Sequence, residues 1–196
     1  MLIILLPNKG EVFEQVVKCM NDLTKLAALI KEKNAVDNEI AKIINRPAQV
    51  GHAGEYIAAS IFDITLHSSA TQKGSDGFFN SGNLRGYSVN VKWYPKHESL
   101  LDLNLKYFPD YYLILAGPKI PAASSRGVTR PWVIDYVFLF EAQPLFDKLR
   151  SRKVQIGVAA SLASEIWSGG EIYPNQRNNL LTVTNVQRTQ LSYFKG

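Results

Sequence analysis

The segment 86–94, GYSVNVKWY, constrains the fold of this chain more than any other stretch. It is rich in β-branched and aromatic residues, with turn-forming Gly82 and Asn83 upstream and Pro95 directly behind, which is typical of a strand. Alternate residues of a strand point to opposite faces, so one face carries Tyr87, Val89, Val91 and Trp93 and the other carries Ser88, Asn90, Lys92 and Tyr94. An ammonium in the middle of a strand is costly to bury without a polar or anionic partner. The strand therefore predicts a polar site on one face of a sheet.

The other segments predict a mixed sheet flanked by helices. Helical periodicity covers 11–31, a shorter helix is expected over 35–44 before Pro47, and a third helix begins near Val50. Strands are expected near 77–79, in the apolar segments 110–117 and 131–140, and at 154–159 (VQIGVA), with a helix over 142–149 and a polar tail around 168–179. This order of elements indicates an α/β fold with a mixed central sheet.

The length and composition bound the organisation of the chain. Its 196 residues, 46% of them apolar, suffice for one domain with a sizeable core. We expect residues 1–46 to form an N-terminal helical extension that serves dimerisation or DNA contact, and residues 47–196 to form the main domain.

The early apolar residues and the cysteine count bear on location. The run 2–6 ends at Pro7, has no basic flank before it and is too short for a membrane span or a signal peptide. Cys19 is the only cysteine, which excludes an internal disulfide and a cysteine-rich zinc site. We therefore expect a soluble, cytoplasmic protein without a membrane partner.

The charge favours an anionic partner without requiring one. The formal net charge is +5 and the sequence pI is about 9.2, a moderate excess that suits a nucleic acid. The basic residues gather at 92–96, 126–130 and 148–153. Each of these clusters, taken singly, is equally typical of a solvated face.

Two carboxylates precede the lysine of the strand and could meet it. Asp76 lies where KGSDGFF enters a short strand, and Glu55 lies on the predicted helix GHAGEYIAASIF. If that helix packs on the sheet, both carboxylates can converge near Lys92, with Asn90 on the same face. Two carboxylates, the amide oxygen of Asn90 and the backbone carbonyl of Val91 are the hard oxygen ligands that Mg²⁺ prefers, with Mn²⁺ as a substitute. Beside such an ion, a lysine can orient or deprotonate a water for attack on a phosphodiester.

This arrangement resembles the PD-(D/E)xK nuclease superfamily, whose fold is called restriction endonuclease-like. The shared pattern is a helix glutamate (Glu55), an aspartate at a strand start (Asp76) and a strand with an acidic or amide residue, any residue and lysine (Asn90-Val91-Lys92). The run 54–94 is also similar to restriction-enzyme-like proteins with a "GE-(aromatic)…KG-x-D…VKW" arrangement, and the likeness covers roughly 47–180. The resemblance implies a Mg²⁺-dependent DNA endonuclease, a Type II restriction enzyme that acts on double-stranded DNA as a homodimer. Glu55, Asp76, Asn90 and Lys92 would then be its catalytic residues.

Two residues depart from the superfamily pattern. Ser75 precedes Asp76 in place of a common proline, and Asn90 stands where a carboxylate is usual. An amide binds Mg²⁺ more weakly than a carboxylate does. Two alternatives therefore stay open: a DNA-binding protein without catalysis on the same fold, and a protein-interaction module in which the charged group is a structural ion cluster.

Other common chemistries lack their motifs. His52 and Glu55 form H-x-x-E without the second histidine of a zinc protease helix. Neither a phosphate-binding G-x-x-x-x-G-K-[ST] loop nor a G-x-G-x-x-G fingerprint occurs, and G-x-S-x-G is absent as well. The sequence therefore does not indicate a nucleotide cofactor or acyl transfer.

Two polar loops are candidates for DNA contact. The loop 124–130 combines hydroxyls and a glycine with Arg126 and Arg130, which suits phosphate contact or guanine reading. The loop 175–179 offers Gln176, Arg177 and Asn178, the side-chain types that read adenine and guanine edges. Both loops are equally typical of ordinary polar surface.

Overall fold

The structure is a computed structural model that describes residues 9–68, 73–119 and 129–196, with side chains from residue 21 onward. The chain divides into two compact units, Met1–Ala48 and Gln49–Gly196.

The first unit contains one long helix, α1 (Lys9–Ile44). The prediction of two helices over 11–31 and 35–44 is wrong, because the intervening residues include neither glycine nor proline and nothing breaks the hydrogen-bonding of the backbone. The helix ends where Asn45 adopts a positive φ of 53°, a conformation that asparagine tolerates better than most residues. Apolar side chains of α1, including Leu23 and Ile30, are exposed.

The second unit has the following elements in chain order: α2 (Val50–Phe62), β1 (Ile64–Leu66), β2 (Gly77–Phe79), a short 3₁₀ turn (Gly82–Leu84), β3 (Ser88–Tyr94), β4 (Leu100–Leu101), β5 (Tyr111–Ala116), β6 (Tyr136–Glu141), α3 (Ala142–Ser151), β7 (Ala160–Ser161), α4 (Ser164–Gly170), β8 (Glu171–Tyr173) and α5 (Asn185–Ser192). Six strands form one sheet in the order β1-β2-β3-β5-β6-β8, and β4 pairs with β7 separately. Strands β3 and β5 are parallel, whereas the other neighbours are antiparallel. The predicted α/β class with a mixed central sheet is confirmed.

Several predicted elements differ from the observed ones. The strand expected over 131–140 begins only at Tyr136, and the segment 154–159 is not a strand. The polar tail, for which no element was predicted, follows α4 and contains β8 and α5. Helix α5 begins with a capping box in which the side chains of Thr184 and Gln187 each bond to the other's backbone N–H, a local signal that the tail sequence carries.

The two faces of β3 are covered by different elements. Val89, Val91 and Trp93 are buried, and α2 packs on this face, because a Cβ added at Gly54 would lie 2.9 Å from Cβ of Trp93. On the opposite face, α3, α4 and the small β4–β7 sheet pack over a core that includes Tyr112, Ile114, Phe138, Phe146 and Trp167. The alternation predicted for β3 is confirmed by its burial pattern.

Replacing Gly77 with alanine should strongly destabilise the sheet. The added Cβ would lie 2.2 Å from the carbonyl oxygen of Thr65 in β1, and backbone cannot move aside cheaply, so we expect a loss of about 1–3 kcal/mol or more in the free energy of unfolding. Denaturant unfolding measures this loss. Gly51→Ala is the matched control, since its Cβ would meet nothing within 4 Å. An equal stability of the two variants would contradict the close approach of β1 and β2.

Candidate active site

Asp76 directly precedes β2, and its carboxylate caps the edge of β3 beyond the N-terminal end of β2. Strands β2 and β3 pair at Gly77 and Val89, and the backbone N–H of Asp76 still donates to the carbonyl of Val89 at 2.8 Å. The next N–H on this edge, that of Val91, donates instead to Oδ2 of Asp76 at 2.7 Å. The side chain of Asp76 therefore takes the place of a backbone partner at this point of the sheet.

The carbonyl of Val91 belongs to the same edge. In an antiparallel ladder, the N–H and C=O of one residue point to the same neighbouring strand. Since the N–H of Val91 points to Asp76, its carbonyl oxygen lies on the side of β3 where β2 has ended. A carboxylate and a backbone carbonyl are thus brought to one open stretch of the sheet edge.

Asn90 and Lys92 line a cavity of about 470 Å³ on the opposite face from α2. Its remaining walls come from Tyr112 of β5, the segment 102–107 and the segment 156–158, with Gly74 near one end. The strand therefore directs its amide and its ammonium into a cavity with mixed polar and apolar walls.

Asn90 has an unmet hydrogen-bonding requirement. Its Oδ1 is shielded from solvent and accepts no hydrogen bond from any residue that the structure describes. An unsatisfied buried polar group costs about 1–3 kcal/mol, a cost that a bound cation or donor would remove. Lys92, two residues further along, forms no ion pair within the described ranges.

Glu55 reaches the sheet from the other side. It is half-buried on α2 and directly follows Gly54, whose backbone lies against Trp93 of β3. The side chain of Lys92, in β3, points to the face opposite α2, so Glu55 and the side chain of Lys92 lie on opposite faces of the sheet. To act on one ion, both side chains would have to reach the edge at Val91, beyond the last pair of β2 with β3.

The oxygen groups at this edge fit a divalent cation in their chemistry. Within residues 9–68, 73–119 and 129–196, no cluster of three His, Cys, Asp or Glu side chains has the geometry to hold a metal ion. The expected ligand set differs from such a cluster, since it has two carboxylates, the amide of Asn90 and the carbonyl of Val91. Asp76, Val91 and the unsatisfied oxygen of Asn90 are hard ligands of the kind that Mg²⁺ accepts.

The sequence interpretation did not include the segment 102–107, which forms one wall of the cavity. Hydrogen bonds fix both the backbone and the side chain of Asp102. Its N–H donates to the hydroxyl of Tyr94 at 3.1 Å, and its Oδ1 accepts from the N–H of Ala159 at 2.7 Å. Asn104 accepts from the N–H groups of Lys106 and Tyr107. The signal for this wall is topological: the parallel pairing of β3 with β5 requires a crossover, and this crossover covers the face that carries Lys92.

Two tyrosines of this face keep their protons at neutral pH. Burial is the main cause that raises the pKa of Tyr94, and it raises the pKa of Tyr112 as well. Tyr112 lines the cavity together with Lys92 and Asp102. Lys92 is the basic side chain and Asp102 the acidic side chain among the described residues that line the cavity.

The loop at Arg126 and Arg130 is described only in part. Arg126 lies outside the described residues. Arg130 is exposed and its Nη2 lies 3.2 Å from Oε1 of Glu98. Lys96 lies 3.6 Å from the same carboxylate oxygen, so Glu98 offsets part of the positive charge here.

The second predicted DNA loop has a structural role. The amide of Gln176 donates to the carbonyls of Asn178 and Leu181 and accepts from the N–H of Val183. Arg177 pairs with the buried Glu171 of β8 at 3.2 Å. The side chain of Asn178 donates to the carbonyl of Leu139 and accepts from the N–H of Leu180. Reading base edges with these groups would require breaking the bonds that hold the tail on the sheet.

Comparison with known proteins gives no relative from which a function could be transferred. No model of a protein family matches the chain, and no curated protein is significantly similar to it. Among the helices that the structure describes, none combines the length and the apolar character needed to cross a bilayer. The function is therefore argued from the site itself.

Proposed function

We propose that this chain is a Mg²⁺-dependent DNA endonuclease with a restriction endonuclease-like fold, acting as a Type II restriction enzyme. One observation carries the proposal: Asp76 meets Val91 of β3 beside the N-terminal end of β2, while Asn90 and Lys92 of β3 line a cavity. The order of the parts, a helix with Glu55, the start of β2 with Asp76 and the strand with Asn90-Val91-Lys92, is the order that the resemblance implies. The neighbouring positions of β2 and β3 support it further.

Each residue would have a distinct role. Asp76, Glu55 and the carbonyl of Val91 would hold the ion, with Asn90 assisting through its side-chain oxygen. The bound ion would neutralise the charge that develops on the phosphate. Lys92 would hold the attacking water by a hydrogen bond at Nζ and orient it toward the phosphorus.

The partner in this proposal is double-stranded DNA, and the active species is a homodimer. Symmetric cleavage of both strands needs two sites related by a two-fold axis. The exposed apolar residues of α1, such as Leu23 and Ile30, are the candidate contact between protomers. Arg130 and Arg177 are predicted DNA-contacting side chains that are exposed, although each also pairs with a glutamate.

Asn90 favours a second candidate function, DNA binding without cleavage. A plasmid-nicking assay with Mg²⁺ and with Mn²⁺ separates the two functions. The nuclease converts supercoiled plasmid to open-circular and linear forms, whereas the binding protein retards DNA on a gel and gives no product. A protein that neither cleaves nor binds duplex DNA in a salt-dependent manner would favour the protein-interaction module and contradict both.

Replacing Asn90 with aspartate should strengthen metal binding. The substitution supplies a carboxylate at the position where the buried oxygen has no donor, and Mg²⁺ binds a carboxylate more tightly than an amide. We expect a lower Mg²⁺ concentration for half-maximal thermal stabilisation and for half-maximal cleavage. Asn104→Asp, on the opposite wall of the cavity, is the control. Equal Mg²⁺ dependence of the parent and Asn90→Asp would contradict the assignment of Asn90 as a ligand.

A further inference from the structure

Lys73 and Lys106 form a cationic rim near the cavity beside Lys92, and neither is one of the proposed catalytic residues. Lys73 and Lys106 lie over the ring of Tyr107, with their Nζ atoms 5.4 and 5.3 Å from its centroid. Gly74 packs so closely on the backbone of Tyr107 that an added Cβ would lie 2.8 Å from its carbonyl carbon. Two segments distant in sequence, 73–74 and 104–107, are thus joined at one end of the cavity.

The charges around the cavity are unbalanced. Lys73, Lys92 and Lys106 form no ion pair within the described ranges, and Asp102 is the acidic side chain among the cavity-lining residues. Its Oδ1 already accepts from the N–H of Ala159. Lys92 lines the cavity, and Lys73 and Lys106 lie at Tyr107, which also lines it. This excess of positive charge over one carboxylate favours an anionic occupant.

The size of the cavity limits that occupant. Pockets for small organic ligands span roughly 300–1,000 Å³, so a volume of about 470 Å³ suits one nucleotide and excludes a base-paired duplex. An amide at each wall, Asn90 and Asn104, can form hydrogen bonds with a base or a sugar.

We propose that this cavity binds a single unpaired nucleotide of the substrate strand, with Lys73 and Lys106 contacting a phosphate other than the one at Lys92. The inference rests on the proposed function, because it assigns the phosphate at Lys92 to the bond that is cut. To enter the cavity, the nucleotide leaves the base stack of the double-stranded substrate, so binding includes the cost of unstacking it. Unstacking costs least at a mismatch or in a single strand.

Binding of a fluorescein-labelled oligothymidylate, measured by anisotropy in EDTA over a range of salt, tests the cationic rim apart from cleavage. Each phosphate contact to a single strand contributes about 0.7 to the slope of log K against log salt concentration. Lys73→Ala and Lys106→Ala should each lower that slope by about 0.7. Lys148→Ala, an exposed lysine of α3, should leave it unchanged. An equal decrease in all three variants, or none in the rim variants, would overturn the proposal.

A substitution that fills the cavity with a large side chain tests whether a nucleotide binds there. Gly157 lines the cavity and a Cβ added there meets nothing within 4 Å, so Gly157→Phe should occupy the space while the melting temperature stays near that of the parent. We expect at least tenfold weaker binding of the oligothymidylate. Gly169→Phe, also with open space at its Cβ, is the control. Unchanged binding by a folded Gly157→Phe would overturn the proposal.

The outcomes also separate this inference from the proposed function. If the rim and filling variants behave as expected but the parent cleaves no DNA, the nucleotide site stands and the nuclease proposal fails. If the parent cleaves plasmid DNA while these variants bind the oligothymidylate as the parent does, the nuclease proposal stands and this inference fails.

Discussion

Replacing Lys92 with alanine is expected to reduce the rate of DNA cleavage about 10²- to 10⁴-fold, the usual contribution of a group that positions or transfers a proton. Binding of duplex DNA should change little, because Lys92 contributes one charge inside the cavity while the rest of the basic surface is retained. Single-turnover cleavage of plasmid DNA measures the rate, and gel retardation measures the binding.

Two further variants show whether the loss of cleavage in Lys92→Ala is specific to the role of Lys92. Lys92→Arg keeps the positive charge and the N–H donors, but a guanidinium does not lose its proton in a protein. Cleavage by this variant close to the parental rate would therefore show that Lys92 orients the water and does not accept its proton. Lys148→Ala removes an exposed lysine of α3 and should cleave at the parental rate. Cleavage by Lys92→Ala at the parental rate would reject the mechanism.

Two substitutions of Asp76 should separate its effect on stability from its effect on activity. In Asp76→Asn the remaining amide oxygen can still accept the N–H of Val91, which now donates to Oδ2 at 2.7 Å, so the fold should be retained. The charge that holds the ion is lost, and we expect cleavage to fall below detection. Asp76→Ala also removes the acceptor and should lower the free energy of unfolding by about 1.5–3 kcal/mol.

Denaturant unfolding and a Mg²⁺ titration of thermal stability measure these effects. The expected pattern is a stable Asp76→Asn variant that has lost its Mg²⁺-dependent stabilisation. If Asp76→Asn kept the stabilisation of the parent, Asp76 would have a structural role only, which is the prediction of the ion-cluster alternative.

Much of the central sheet could be predicted from the sequence. Strand β3 combines strict alternation with β-branched residues, and both signals are local, so its two faces follow directly from the order of the residues. Strand β1 is short and lies directly after α2. Its three residues add too little periodicity to distinguish them from the end of that helix.

The candidate site could be predicted only in part. The positions of Asp76 and Lys92 follow from strand boundaries, but the hydrogen bond between Asp76 and Val91 depends on where β2 stops pairing. The wall formed by 102–107 depends on the crossover between two parallel strands, which no local pattern reveals. The roles of Gln176 and Asn178 in holding the tail depend on contacts with residues such as Val183 and Leu139, whose positions follow from the sheet order.

The central claim is that a divalent cation binds where β2 ends and Asp76 meets β3. Anomalous diffraction from crystals of the full chain grown with saturating Mn²⁺ tests this claim most directly. The account predicts a single strong peak within about 2.5 Å of an oxygen of Asp76, with the carbonyl of Val91 and the side chain of Asn90 around it. An ordered site without a peak at that edge, or a peak only elsewhere on the protein, would contradict it.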